Sequence, residues 1–368
     1  MRRIFSQARK ELTQLIRDRL ALALALVLPL ILLFLLSTAI SLTVHNLPLV
    51  IQDLDDSSAS RRFADAFRSS ISFHVVSWPP DRKPEDALTA NRARGVLVVP
   101  RNFGHDLARG ANVQVQLLVD ATDSNTARIV QGYVNQITHA FNRDSGALAN
   151  AMLVGEQVRL WYNPGRDSPK FYSPGIFVMG ISMFPALLAA LSMAKEGEQK
   201  TILQVYVSSI SAHEFLLGKI LAYMVVAACE WTLAMISLLT FFGQHIAGDP
   251  TPFLVGSVLY AFCVASFGTF VGAGIPNQAA AIQTVALGGF LLVFLLSGLI
   301  FPVENIPGGL RWLSNIVWGR YYIEIVRDAL LQGGGWPAMW FSVLMIAVLG
   351  AVFYTLAWTT MRRMQVKA

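Results

Sequence analysis

Apolar residues in this chain are gathered into long runs, and the runs are placed unevenly. One, Leu20 to Val44, stands alone near the N-terminus; the next begins at Tyr172, and from there to Thr359 apolar stretches follow one another with short breaks. About 20 apolar residues in a helix cross the roughly 30 Å hydrocarbon layer of a bilayer. The pattern therefore predicts a polytopic α-helical membrane protein with a water-exposed domain inserted after the first span. A composition of 54% hydrophobic and 14% charged residues agrees, because it leaves too little polar surface to keep 368 residues in water.

Six spans are predicted, at 20–44, 172–194, 217–242, 252–274, 281–302 and 336–359. An even number places both termini on one side. The first 19 residues hold six bases against two acids, and the last seven hold three bases and no acid, so the positive-inside rule makes that side the cytoplasm. The resulting plan has a cytoplasmic interface helix at 1–19, the first transmembrane helix at 20–44 and an extracytoplasmic domain at 45–171. Five further spans lie within 172–359, with a cytoplasmic loop at 195–216 and an external broken-helix segment at 302–335, before a cytoplasmic tail at 360–368. The first run exceeds a secretory h-region and follows a largely amphipathic segment, which favours a retained anchor over a cleaved signal.

In the N-terminal stretch, Ile4, Ala8, Leu12, Leu15 and Ile16 fall near one helical face, and Arg3, Lys10, Arg17 and Asp18 mostly away from it. This reads as a helix lying on the membrane surface, or as a plain charged flank that sets topology. The inserted domain reads as a small α/β unit: a strand ending at Asp53, a helix over Arg61–Phe67, a strand over Ile71–Val76, then helix around Glu85–Asn91, the strand "GVLVVP", a short helix in "NFGHDLARG", the strand "VQVQLLVD" and a helical pattern from Asn125 to Leu160. Ser, Thr and Asp near its strand ends fit turn and cap roles better than a ligand site.

No catalytic constellation is expected. The histidines His45, His74, His105, His139, His213 and His245 are scattered without HxH or HExxH spacing, and Cys229 and Cys263 fall in apolar runs without metal-ligand companions. There is neither G-x-S-x-G nor a P-loop, so energy for transport would have to come from another subunit. The bases form no groove interleaved with aromatics, which argues against nucleic acid.

Charges inside or beside the spans are the remaining candidates. Glu230 lies near the middle of "LAYMVVAACEWTLAMISLL", where an ionised carboxylate is costly; it faces a path and meets a cation or substrate amine, or it is protonated and bonded across a helix interface. "FPVENIPGGLRWLSNIVWGRYY" combines two prolines with two adjacent glycines, which favours short broken helices. Glu304, Arg311, Arg320, Glu324 and Arg327 there either gate an exit or anchor the helices, while Trp312, Trp318, Tyr321 and Tyr322 read as interface-belt aromatics. Gly268, Gly272, Gly274 and Pro276 suggest close helix packing followed by a turn. The loop "MAKEGEQKTILQVYVSSISAHEFLLGK" has a polar exit from the bilayer and then a short apolar surface, suited either to docking a soluble partner or to serving as an ordinary connection.

Four pieces in this order, "RKELTQLIRDR" before a span bearing Pro29, "DLDDSS" with "RGVLVVPRNF", "AKEGEQKTILQVYVSSISAHEFLLGK", and "SGLIFPVENIPGGLRWLSNIVWGRYYIEIVRDALLQGG", resemble the permeases of type-2 ABC exporters, specifically the bacterial subgroup with a large external domain after the first span. The resemblance covers essentially the whole chain. It implies a permease in the bacterial inner membrane that works as a dimer with a second copy or a paralogue, together with an ATP-binding subunit that carries ATP and Mg and, by extension, a periplasmic adaptor; this chain itself would hold no cofactor.

The same resemblance implies that Lys10, Glu11, Arg17, Asp18, Glu196, Gly197, Glu198, Lys200, Thr201, Tyr206 and Ser209 couple to the ATPase, and it makes the segment after Leu299 an external re-entrant region above the translocation path, where the gate or path candidates read from their charges are Glu304, Arg311, Arg320, Glu324 and Arg327, with Glu230 inside the third span. The family's usual Arg-Glu before a Glu-x-Gly-Thr series is here Ala194 to Thr201, which keeps alternating charge and the glycine. The expected activity is export of an amphipathic small molecule, drug or lipid-like compound. The alternative is a membrane-anchored envelope scaffold whose external domain binds a partner.

Overall fold

The computed structural model describes residues 2–39, 46–79, 82–84, 86–90, 92–111, 113–119, 124–144, 168–202, 210–299, 303 and 306–365. The chain divides into two compact units, one formed by residues 1–40 with 160–368 and the other by 41–159.

The first unit is helical. Among the described residues six helices are long and apolar enough to cross a membrane. A short helix, α1 (Arg2–Arg17), precedes the first span, α2 (Arg19–Ala39), and Asp18 joins them by accepting the Ala21 N–H at 3.0 Å, an N-cap for α2. The buried side of α1 carries Gln7, Ala8, Glu11 and Leu15, while Ile16 is exposed. The expected stripe through Ile16 is thus displaced toward Glu11, because polar partners on other helices receive that carboxylate.

The later spans outrun their apolar runs. With α3 (Ser58–Arg68), α4 (Asp86–Thr89), α5 (Phe103–Ala108) and α6 (Ser124–Asp144) in the inserted unit, the second span is α7 (Ser168–Glu198) and the third is α8 (Ala212–Thr240). α7 continues four residues past the expected 194, and α8 starts five before the expected 217. The early start has a local cause: Ser211 and Glu214 form a reciprocal capping box. The fourth span is α9 (Thr251–Gly274) and the fifth is α10 (Gln278–Leu296), opened by the Asn277 cap and loosened to π geometry over Ala286–Leu291. Two short helices follow, α11 (Gly308–Ser314) and α12 (Trp318–Arg327), the second running into a π turn, and the sixth span is α13 (Trp336–Gln365).

Glycines set the tightest helix crossing. A Cβ on Gly272 would lie 2.5 Å from the Ala190 carbonyl oxygen and 2.7 Å from Met193 Cβ, and one on Gly268 would strike the Ala186 carbonyl. The backbones of α7 and α9 therefore touch along this line. The expected belt role fits Trp312, which is exposed, but not Trp318, Tyr321 or Tyr322, which are buried; Tyr322 stacks on Tyr260 with centroids 3.9 Å apart, Trp318 packs on Phe267, and Tyr321 donates to the Asn315 carbonyl at 2.9 Å. These rings fill space between helices because α12 lies against α7, α9 and α13.

The second unit is built on a four-stranded sheet of order β2-β1-β3-β4, where β1 is Leu47–Asp53, β2 Phe73–Val75, β3 Gly95–Val99 and β4 Gln116–Val119. β1 runs parallel to β2 and β3, with Val50 opposite Val96, and β4 is antiparallel to β3. Alternate residues face opposite ways. Leu47, Leu49, Leu97 and Val99 join Phe63, Phe67 and Phe103 in one core, whereas Val50 and Val96 meet Ala87 and Ala93 in another. The phenylalanines come from α3 (Ser58–Arg68) and α5 (Phe103–Ala108), and α6 (Ser124–Asp144) adds Val130 and Val134. Between β3 and β2 lies α4 (Asp86–Thr89).

The Asp-rich turn after β1 is occupied internally. Asp53 accepts the Ser60 hydroxyl at 2.7 Å, Ser57 caps α3, and Asp55 accepts the Gly104 N–H at 3.0 Å. The Ser57 hydroxyl and that N–H hold Asp55 below the usual aspartate range.

Candidate functional site

Four charged side chains from three helices meet where α1 crosses the end of α7 and the start of α8. Lys219, on the second turn of α8, is fully buried. Its ammonium donates to Glu11 Oε1 at 3.0 Å and to the Ser192 hydroxyl at 2.7 Å, and lies 3.1 Å from Glu196 Oε2. Two of its protons are thus hydrogen-bonded, and the Glu196 carboxylate adds a charge contact. Glu11 is matched in turn: it accepts from Gln7 at 3.0 Å, from Ser192 at 2.6 Å and from Tyr223 at 3.4 Å. Lys10 closes the group by donating to Glu196 Oε1 at 2.7 Å.

Two ammonium groups and two carboxylates make the cluster formally neutral. That balance permits its burial, since one uncompensated charge there would pay the full desolvation cost. Burial pushes the Glu11 carboxyl up, but Lys219 and the Ser192 hydroxyl outweigh it and leave Glu11 below the ordinary range. For Lys10, burial pulls down and Glu196 pulls harder the other way, leaving it above its ordinary value. α1 is held further along by Arg3, 3.6 Å from Glu214, and by the close fit of Gln7 at Gly218, where an added Cβ would come within 2.6 Å.

The cluster brings together Lys10, Glu11 and Glu196 from the sequence-derived candidates. Gly197 packs on Pro276, and Glu198 accepts both the backbone N–H and the side-chain amide of Gln278, at 3.1 and 3.0 Å. These contacts tie the exit of α7 to the entry of α10. Lys200 takes a positive φ of 57° as the helix ends, and Thr201 donates to the Glu196 carbonyl at 3.3 Å. Arg17 is exposed, and Asp18 is the cap of α2. Tyr206 and Ser209 lie outside the described residues. Sequence reasoning missed Lys219, Ser192, Tyr223 and Gln7. Lys219 stands at the edge of the expected third span, where a lysine is an ordinary interface charge; the Ser211–Glu214 capping box starts the helix at Ala212 and carries Lys219 into its second turn.

The other candidates lie apart from this cluster, at the end where α7 begins and α10 finishes, or within the spans. Arg320 donates to Asn315 Oδ1 at 2.5 Å and lies 3.7 Å from Glu324, which accepts the Ser342 hydroxyl at 2.7 Å. Arg327 donates to the Gly298 carbonyl at 3.1 Å and the Leu299 carbonyl at 3.4 Å, so it closes the chain leaving α10. Beside it, buried Asp328 accepts the N–H groups of Gly334 and Gly335 at 2.8 and 2.9 Å. Arg311 is exposed on α11, and Glu304 lies outside the described residues. Glu230 is buried at the middle of α8, against Gly180 of α7. Cys229 and Cys263 are free, and among the described residues no group of three His, Cys, Asp or Glu side chains is arranged to hold a metal ion.

Among the described residues, six candidate membrane helices and an inserted sheet unit define a polytopic α-helical membrane protein. The chain belongs to the ABC-2 family of transporter proteins, whose profile, described as "ABC-2 family transporter protein", matches residues 20–359. It is similar over nearly its whole length to three proteins of Escherichia coli K12. The "Probable multidrug ABC transporter permease YbhR" is 27% identical, covering 98% of each chain. The "Probable multidrug ABC transporter permease YbhS" is 27% identical over 98% of this chain and 97% of its own. The "Inner membrane transport permease YhhJ" is 25% identical over 99% and 98%.

Proposed function

We propose that this permease exports an amphipathic small molecule, drug or lipid-like compound from the cytoplasm or inner leaflet of a bacterial inner membrane, driven by a separate ATP-binding subunit and acting with a second permease copy or a paralogue. The observation that carries the reading is the neutral buried cluster linking α1 to α7 and α8, in a chain of the ABC-2 family. A peripheral helix bound in this way moves with two spans at once, which is what transmission from a soluble motor requires.

The basic termini and the even number of spans support an orientation with both ends in the cytoplasm and residues 45–171 outside, as a small α/β domain. In that frame the 195–216 loop and α1 face the ATPase. Glu196 and Glu198 would serve by fixing the exit of α7 to its neighbours, and ATP-driven closure of the motor would press on α1 and the loop together. The 302–335 segment would then stand on the external side, with Arg320, Glu324 and Arg327 bracing the exit. The description "multidrug" borne by two of the relatives supports an amphipathic cargo.

The test is ATPase activity of the purified chain in lipid, alone and with the ATP-binding subunit captured from its native membrane. Activity only in the complex, reduced when Glu196→Lys breaks the cluster, supports the reading. Failure to recover any ATPase from intact membrane complexes overturns it in favour of a membrane-anchored scaffold.

A further inference from the structure

Several polar groups on the helices packed around α8 are paired with one another. Ser182 and Tyr260 share a hydrogen bond, the Tyr322 hydroxyl pairs with Ser257 at 2.8 Å, and the Trp231 N–H donates to Tyr322 at 3.2 Å. Amid these closed pairs Glu230 is 1% exposed, and neither of its carboxylate oxygens has a hydrogen-bond partner among the described residues. Tyr260 lies within electrostatic reach of it without bonding to it. A carboxylate in such a place keeps its charge only when a cation arrives to balance it.

The surroundings select among cations. Calcium or magnesium needs a cage of six or more oxygens, and Glu230 offers two. The Glu230 carboxylate lies against the backbone of Gly180, with Pro29 of α2 beside it, and Tyr260, within its electrostatic reach, stacks on Tyr322 in a group of rings that also holds Trp231, with Phe177 at 6.4 Å and Phe253 at 5.5 Å from Trp231. Aromatic faces suit an organic cation with an apolar body. The α7 backbone packs closely over the carboxylate at Gly180, where an added Cβ would come within 3.2 Å of Oε1 and 3.4 Å of Pro29 Cβ.

We propose that Glu230 is the charge-recognition group of an internal site for lipophilic organic cations, entered when α8 parts from α2 and α7. This rests on the reading of the chain as a transport permease and names its substrate class. The occupant is an ammonium or phosphonium borne on an apolar body, held by the carboxylate and the rings of Trp231, Tyr260 and Tyr322.

The experiment is equilibrium binding of radiolabelled tetraphenylphosphonium to the full-length chain in lipid nanodiscs, without ATP or partner. Saturable binding is expected, weakened by about tenfold or more in Glu230→Gln, since truncating one side of a buried charge contact has at least that effect. Glu230→Asp should retain most of it, and neutral triphenylphosphine oxide should not compete. Tetraphenylphosphonium should also protect Glu230 of the native chain from dicyclohexylcarbodiimide, read by peptide mass spectrometry, which needs no variant. Absence of saturable binding, equal binding by a folded Glu230→Gln, or modification of Glu230 indifferent to the probe overturns the inference. A recovered ATPase complex that fails these tests leaves the transporter reading standing and removes only the cation site; binding by a chain with no ATPase does the reverse.

Discussion

The ammonium of Lys219 lies 3.0 Å from the Glu11 carboxylate across 208 residues of sequence, and both side chains are withdrawn from solvent. This pair fastens a peripheral helix to the third span.

Removing only the cation should be far worse than removing the pair. Lys219→Met leaves Glu11 buried beside Tyr223 and Ser192 with its main counter-charge gone, and should destabilise the chain by about 3–5 kcal/mol. The double variant Glu11→Gln with Lys219→Met should recover much of that loss, because Glu196 keeps Lys10 at 2.7 Å. Denaturation midpoints of the two single variants, the double and the native chain form the cycle that tests this. Strict additivity would refute the proposed coupling.

The cluster's contribution should be greatest near neutrality. Glu11 is held below its ordinary pKa, so its share is present in full above about pH 4.5 and is lost as pH falls through its lower folded-state value. Lys10 is held above its ordinary pKa, so its share is full below about pH 10.5 and is lost as pH rises through the folded-state value. Thermal midpoints of the native chain and Glu11→Gln should therefore differ at pH 7 and converge in acid. Those of the native chain and Lys10→Gln should converge in strong alkali instead.

Glycines of one helix should tolerate alanine very differently. Gly268→Ala drives a methyl into the Ala186 carbonyl and should cost about 1–3 kcal/mol by overpacking. Gly274 has no atom within 4 Å of an added Cβ, so Gly274→Ala should be neutral or stabilising by a few tenths to about 1 kcal/mol. Thermal unfolding in one detergent compares them.

Asp328 should govern the turn into the sixth span. Asp328→Ala deprives the Gly334 and Gly335 N–H groups of their acceptor; Gly334 is exposed and can turn to water, whereas the buried Gly335 N–H left unpaired should cost about 1–3 kcal/mol. Amide exchange should quicken at Gly334 and Gly335 and remain unchanged in β1 and β3. Uniform acceleration throughout the chain would mean global loss of structure.

The spans were legible because hydropathy integrates over twenty or so residues, and the strands because alternation along β1 and β3 repeats at every second position. Glu230 was legible as an anomaly for the same reason, being one acid in a long apolar run. The Glu11–Lys219 contact was not, since each residue stands in a locally ordinary setting and only the tertiary fold brings them together. The misplacement of Trp318 and Tyr322 in an interface belt has a related cause. Ring-bearing residues near a span end look alike in sequence, whether they meet headgroups or, as here, are covered by Phe267 and Tyr260.

The distance in sequence between Glu11 and Lys219 also bears on how the protein is made. At roughly 5–20 residues per second of synthesis, the ribosome needs on the order of ten to forty seconds to pass from one to the other. Throughout that interval the first helix has no counter-ion in the third span, and its acidic residue must remain in water. The nascent N-terminus therefore waits at the surface, and its seating can be completed only after the third span has entered the bilayer.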